Sequence, residues 1–114
     1  MVPSLERQSP PLAAAPTMRW RGRSGRQYTL RAARLDDFAL RNNELYLVVR
    51  GSLVLWAGSS DDVIHDANSR ARFRLAIDCA DRVFEVEAGA DQVERMTAVW
   101  DLEGAEPLPE QAAA

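Results

Sequence analysis

The sequence predicts an α+β domain: a small mixed or antiparallel sheet built on a central β-hairpin, with helices packed on it and an extra hairpin ahead of it. Three observations carry this expectation. The stretch Glu44 to Gly58, ELYLVVRGSLVLWAG, is two β-rich apolar runs split by Gly51-Ser52. Its β-branched and aromatic residues suit a pleated, packed surface, and Gly-Ser supplies the positive φ of a tight primed turn. Farther on, Phe73, Ala76, Ile77 and Ala80 stand at i, i+3, i+4 and i+7, the spacing of one helical face. Between that helix and the last one, Arg82 to Ala88 alternates as a strand does. A succession of hairpin, hairpin, two helices, strand and helix belongs to the class in which helices cover a sheet.

At 114 residues and 46% apolar content the chain is the size of one domain with one core. The expected division is a disordered leader over 1–17, a domain over 18–105 and a disordered tail over 106–114. The leader, MVPSLERQSPPLAAAPT, holds four of the six prolines and shows no periodicity. No apolar run reaches the roughly 18 residues that span a bilayer, and the N-terminus lacks a signal-peptide layout. Cys79, the single cysteine, has no partner within the chain. These features predict a cytoplasmic protein with no membrane association.

The first hairpin places Trp20 before the turn Gly22-Arg23-Ser24-Gly25, then alternates through Tyr28, Leu30 and Ala32. Arg19, Arg21, Arg23, Arg26 and Arg31 fall on its solvent side or at its turn. A short irregular connection with Leu35, Phe38 and Leu40 leads to Asn42-Asn43 and the central hairpin, whose continuously apolar strands predict cover on both faces. Ser60 or Asp61 is the expected cap of a helix over about 61–68, with Val63, Ile64 and Ala67 on one side. Ser69 is the expected cap of the next helix, about 70–80, whose other face carries Arg72, Arg74 and Asp78. The strand that follows puts Val83 on one side and Phe84 and Val86 on the other, and Gly89 ends it. Asp91 opens a last helix, about 91–102, in which Val93, Met96, Val99, Trp100 and Leu102 form an apolar stripe; Gly104 and Pro107 stop it.

Charge is uneven along the chain. All 14 basic residues are arginine; residues 1–34 carry +6 and residues 35–114 carry −9, for the net −3. A basic front on an acidic body suits nucleic acid or another acidic partner, or pairing within the fold. Several chemistries lack their residues. One histidine, His65, and one cysteine leave a zinc site without its ligands, and no spacing supports a catalytic triad on His65. Gly22-Arg23-Ser24-Gly25 lacks the Gly-Lys-Ser/Thr ending of a phosphate-binding loop. Asp61, Asp62 and Asp66 suit either magnesium or helix N-termini.

Several segments carry a family likeness. Glu44-Leu45-Tyr46 and Trp56-Ala57-Gly58 stand where one nuclease family has Gly-Ile-Tyr and Tyr-Ile-Gly on its first two strands. GSSDDVIHD is similar to that family's polar turn and helix start, FRLAIDCADRVFEVEA to its helix-then-strand segment, and EPLPE to its Pro-containing end. RWRGRSGRQYTL looks like the extra hairpin ahead of the domain in some small bacterial members. On these residues the chain resembles the GIY-YIG nuclease-like superfamily over about 18–110. The resemblance implies the α+β architecture and a metal-dependent nuclease ancestry. It also shows departures: the second tyrosine is Trp56, which has no hydroxyl; the helix arginine is replaced by Asp66; and the metal-binding glutamate falls near Thr97, with Glu94 one turn away.

The leading expectation is therefore a non-catalytic binding module, with no cofactor and no metal site, that contacts a protein or nucleic-acid partner. Its candidate binding residues are Arg19, Trp20, Arg21, Arg23 and Arg26 of the basic hairpin, with Tyr46 and Trp56. The alternative is a magnesium-dependent endonuclease in which Tyr46, His65, Arg70 and Glu94 make a rearranged site.

Overall fold

The computed structural model describes residues 16–36, 38–41, 44–87 and 91–109. Most of the leader, Asn42-Asn43, Gly89 and residues 110–114 lie outside the described residues. The strands are β1 (Thr17–Arg21), β2 (Gln27–Ala33), β3 (Leu45–Arg50), β4 (Leu53–Ser59), β5 (Arg82–Val86) and β6 (Glu106–Pro107). The helices are α1 (Ser60–His65), α2 (Ala67–Cys79) and α3 (Gln92–Glu103). All the strands join one sheet in the order β4-β3-β5-β2-β1-β6, and its pairings are antiparallel.

The expected α+β class and the extra hairpin are both present. Gly51 takes φ +60 at the β3–β4 turn and Gly25 φ +95 at the β1–β2 turn, conformations that glycine adopts without a Cβ penalty. β3 is a central strand, paired with β4 on one side and β5 on the other. Its residues alternate between two cores. Leu45, Leu47 and Val49 join Trp20, Leu30, Phe84 and Leu102 on the face that α3 covers. Tyr46 and Val48 join Trp56, Val83 and Ala76 on the face that α2 covers, with Phe38 and Phe73 packed at the margin. Cover on both faces is why this strand is apolar throughout.

β4 is covered on both faces as expected, with Val54 and Ala57 in one core and Leu55 and Trp56 in the other, but it is the sheet's edge and not its centre. Val48 pairs with Trp56 and Val49 with Val54, so Leu55 is the unpaired extra residue of a β-bulge. It is therefore half-buried, where the apolar run predicted complete burial.

α1 and α2 also begin earlier than expected. Ser59 caps α1 through a capping box with Asp62, in place of Ser60 or Asp61. Asp66 is the break between the two helices and caps α2 by accepting from the Asn68 and Ser69 amides. Ser69, inside the helix, instead accepts a bond from the Trp56 indole at 3.1 Å. Val63 packs against the core, whereas Ile64 and Ala67 are exposed.

α3 buries only part of the expected stripe. Ala98, Asp101 and Leu102 are buried and Val99 partly so, while Val93, Met96 and Trp100 point outward. Ala98 and Trp100 are two residues apart, about 200° round a helix, so one rotation cannot bury both. The domain also runs past 105. β6 pairs with β1, Leu108 is buried, and its amide donates to the Arg19 carbonyl at 3.0 Å. Glu106 to Leu108 thus belong to the sheet, where a disordered tail was expected; the pairing completes the edge of β1.

Candidate functional site

Strand alternation splits the first hairpin into two unlike faces. Trp20, Tyr28 and Leu30 turn inward beneath α3. Arg19 and Arg21 of β1 and Thr29 and Arg31 of β2 take the other face, where they are exposed. The sequence order explains this, since successive side chains on a strand point to opposite sides. On that face α2, with Leu35, Phe38 and Leu40, covers β3, β4 and part of β5, leaving the β1–β2 end open.

Two carboxylates hold the arginines in place. Arg31 donates to Glu85 at 2.7 Å and Arg41 to the same carboxylate at 2.9 Å, and Arg21 pairs with Glu106 at 3.2 Å. Burial opposes ionisation of Glu85, but the bonds from Arg31 and Arg41 outweigh it and hold its carboxyl below the usual range. Bonding to Glu85 raises both guanidiniums in turn. Arg19, Arg21, Arg31 and Arg41 stand against Glu85 and Glu106, and Glu44 adds its charge beside Arg31, so these groups sum to only +1.

Arg23 and Arg26 lie elsewhere. Both sit at the β1–β2 turn, with the Arg23 guanidinium 5.1 Å from the Trp100 ring centroid and Arg26 5.0 Å from that of Tyr28. Arg23 Nε also donates to the Trp100 carbonyl at 2.9 Å. The five arginines of the hairpin therefore form two groups.

The aromatic members of the expected binding set are inside the protein. Trp20 and Tyr46 have no exposed surface and Trp56 has 2%, so none is a platform for a stacked base. Alternating apolar positions on a two-faced sheet put them there. Tyr46 and Trp56 do share a face, in an edge-to-face cluster with Phe38 and Phe73, and the Tyr46 hydroxyl accepts from the Arg41 amide at 2.9 Å.

The remaining residues of the endonuclease alternative are dispersed. His65 is exposed at the end of α1. Arg70 donates to the Val63 and Ile64 carbonyls at 2.8 and 3.1 Å, tying α2 to α1. Glu94 stands on α3, which packs on the sheet face opposite Tyr46. Asp62 and Asp66 serve as caps, and among the described residues no three His, Cys, Asp or Glu side chains gather as a metal site.

Sequence reasoning missed Arg41, Glu85 and Glu106 as members of the arginine face, and it placed Arg31 on the solvent side of the hairpin without counting it among the binding residues. Only the alternation placing Arg31 with Arg19 and Arg21 was legible; the pairing of Arg31 with Glu85 across β2 and β5 is a matter of register. Among the described residues no helix is long and apolar enough to cross a membrane. Against protein-family models, curated proteins and solved structures, the chain has no match.

Proposed function

We propose that this protein is a non-catalytic interaction module, GIY-YIG-like in architecture, whose open arginine face contacts the phosphate backbone of nucleic acid. The observation that supports it is the clustering of Arg19, Arg21 and Arg31 on the uncovered face of β1 and β2, with Arg41 beside them. Guanidiniums meet phosphates with paired, charge-assisted bonds. With the aromatic side chains of this hairpin buried, base stacking is absent from the contact, which is electrostatic and independent of base sequence. The acidic body opposes a polyanion at long range, but screening over about 8 Å at physiological salt lets the local cluster decide.

Fluorescence anisotropy with labelled duplex DNA and RNA tests this reading. Three or four phosphates neutralised give a slope of log affinity against log salt of about −3. Arg19→Glu with Arg21→Glu abolishes binding, whereas Arg23→Glu with Arg26→Glu, on the other group, weakens it much less. Equal losses from the two double variants, or no binding at low salt, would sink the proposal.

A further inference from the structure

At the far edge of the sheet from the arginine face, α3 and the α1–α2 corner stand on either side of β4. Between them lies a groove of about 450 Å³. Leu45 and Ala57 form its floor, Met96, Val99 and Trp100 one wall, and the corner carrying Asp61, Asp62 and Asp66 the other. Arg72 of α2 and Glu103 of α3 meet across it at 3.7 Å.

Two observations select its occupant. The first is the outward stripe of α3. Val93, Met96 and Trp100 are 72, 63 and 54% exposed, at i, i+3 and i+7, so they line up along one side of the helix. Exposed tryptophan and methionine in a row beside a cavity characterise contact surfaces. Trp100 is also held before any partner arrives, because Arg23 lies over its ring and bonds its carbonyl. An anchor already oriented loses less entropy on binding.

The second observation is charge. Asp61, Asp62, Asp66 and Glu103 face Arg72 and Arg95 in the lining, a net −2, within the part of the chain that carries −9. Asp62 and Asp66 are immobilised by their capping bonds, so their negative field is fixed in direction. We propose that this groove docks a short segment of another protein in which an apolar side chain is flanked by lysine or arginine. The apolar side chain packs between Leu45, Ala57, Met96 and Trp100, and the cationic flank meets Asp61 and Asp66. An acidic flank would instead face like charge, which costs affinity and rejects such partners.

Three fluorescein-labelled peptides test the proposal on the full chain by anisotropy. One has a leucine between arginines, the second replaces the arginines with glutamates, and the third replaces the leucine with serine. The first binds, and the other two bind weaker by about tenfold or more. Trp100→Ala and Met96→Ser each cost the first peptide about tenfold; both side chains are exposed, and an unchanged urea midpoint verifies the fold. Asp61→Asn with Asp66→Asn keeps the cap of α2, since asparagine caps as well as aspartate, and lowers both affinity and its salt dependence. Arg19→Glu with Arg21→Glu leaves the peptide affinity unchanged, which separates this site from the arginine face. Absence of binding by all three peptides, equal binding of the three, or binding indifferent to Trp100→Ala overturns the proposal. So does a dimer in sedimentation that Trp100→Ala dissolves, because the occupant would then be a second copy of the chain.

Discussion

Asp101 lies where the last turn of α3 meets the first hairpin, and its buried carboxylate accepts from the Ser24 amide at 2.7 Å and from the Ser24 and Tyr28 hydroxyls at 2.8 Å each. An acid in this turn faces the negative end of the helix dipole, so its role is to the hairpin and not to the helix. Burial pushes Tyr28 up to about 12, with the Asp101 bond adding to it. For Asp101 burial acts against the charge, yet the Ser24 and Tyr28 bonds win and hold its carboxyl below the usual range. The signs give two windows. The lowered carboxyl contributes stability above the ordinary carboxylate range, lost as pH falls through its folded value. The raised phenol contributes stability below pH 10, lost as pH climbs towards about 12. Asp101→Ala leaves the buried Tyr28 hydroxyl, and the Ser24 amide and hydroxyl, without their acceptor and costs about 2–4 kcal/mol at neutral pH by urea titration. It also flattens the acid limb of the stability profile. Gly22 belongs to the same contact: a Cβ there would run into the Asp101 carboxyl. Gly22→Ala therefore destabilises by about 1–3 kcal/mol, although its backbone conformation is open to alanine.

At the scale of elements, the central hairpin is asymmetric. Val48 is completely buried on the doubly paired strand, and Leu55 is the half-buried bulge residue of the edge strand. Val48→Ala costs about 2–4 kcal/mol and Leu55→Ala about 1 kcal/mol, because only the first leaves an enclosed cavity. Equal costs in denaturant titrations would show that the bulge is packed in solution. β6 is short but closes the other side of the sheet through its pairing with β1 and the burial of Ala105 and Leu108. Truncation after Gly104 lowers the melting temperature relative to truncation after Pro109, since it strips those apolar groups from the core and unpairs β1. Identical melting temperatures would show that β6 contributes nothing.

The whole molecule separates its charges. Arginines gather on the β1–β2 face, and the acids of the α1–α2 corner border the groove at the opposite edge. If the arginine face meets phosphates, its own carboxylates limit the affinity. Glu106→Gln removes one negative charge at the Arg21 pair and raises duplex affinity by about two- to tenfold at low salt, with a steeper salt slope. Unchanged anisotropy titrations in this variant would place the contact away from Arg21.

Local pattern determined much of this protein by itself. Alternation and continuous apolarity placed β2, β3 and β5, Gly51 and Gly25 placed the turns, and Phe73, Ala76 and Ile77 gave α2 its buried face. These are properties of short windows, in which a side chain's neighbours along the chain decide its face. The alternation of Arg19, Arg21 and Arg31 was legible for the same reason. Tertiary structure decided the rest. Whether β4 is a centre or an edge depends on strand order, and which of two apolar stripes α3 buries depends on Asp101 reaching the β1–β2 turn, 77 residues away. Glu85 joins Arg31 and Arg41 only through the register of β5 against β2 and the path of the connection. Such contacts join residues distant in sequence, and neither periodicity nor capping carries information about them, because both are set within a turn or two of the chain.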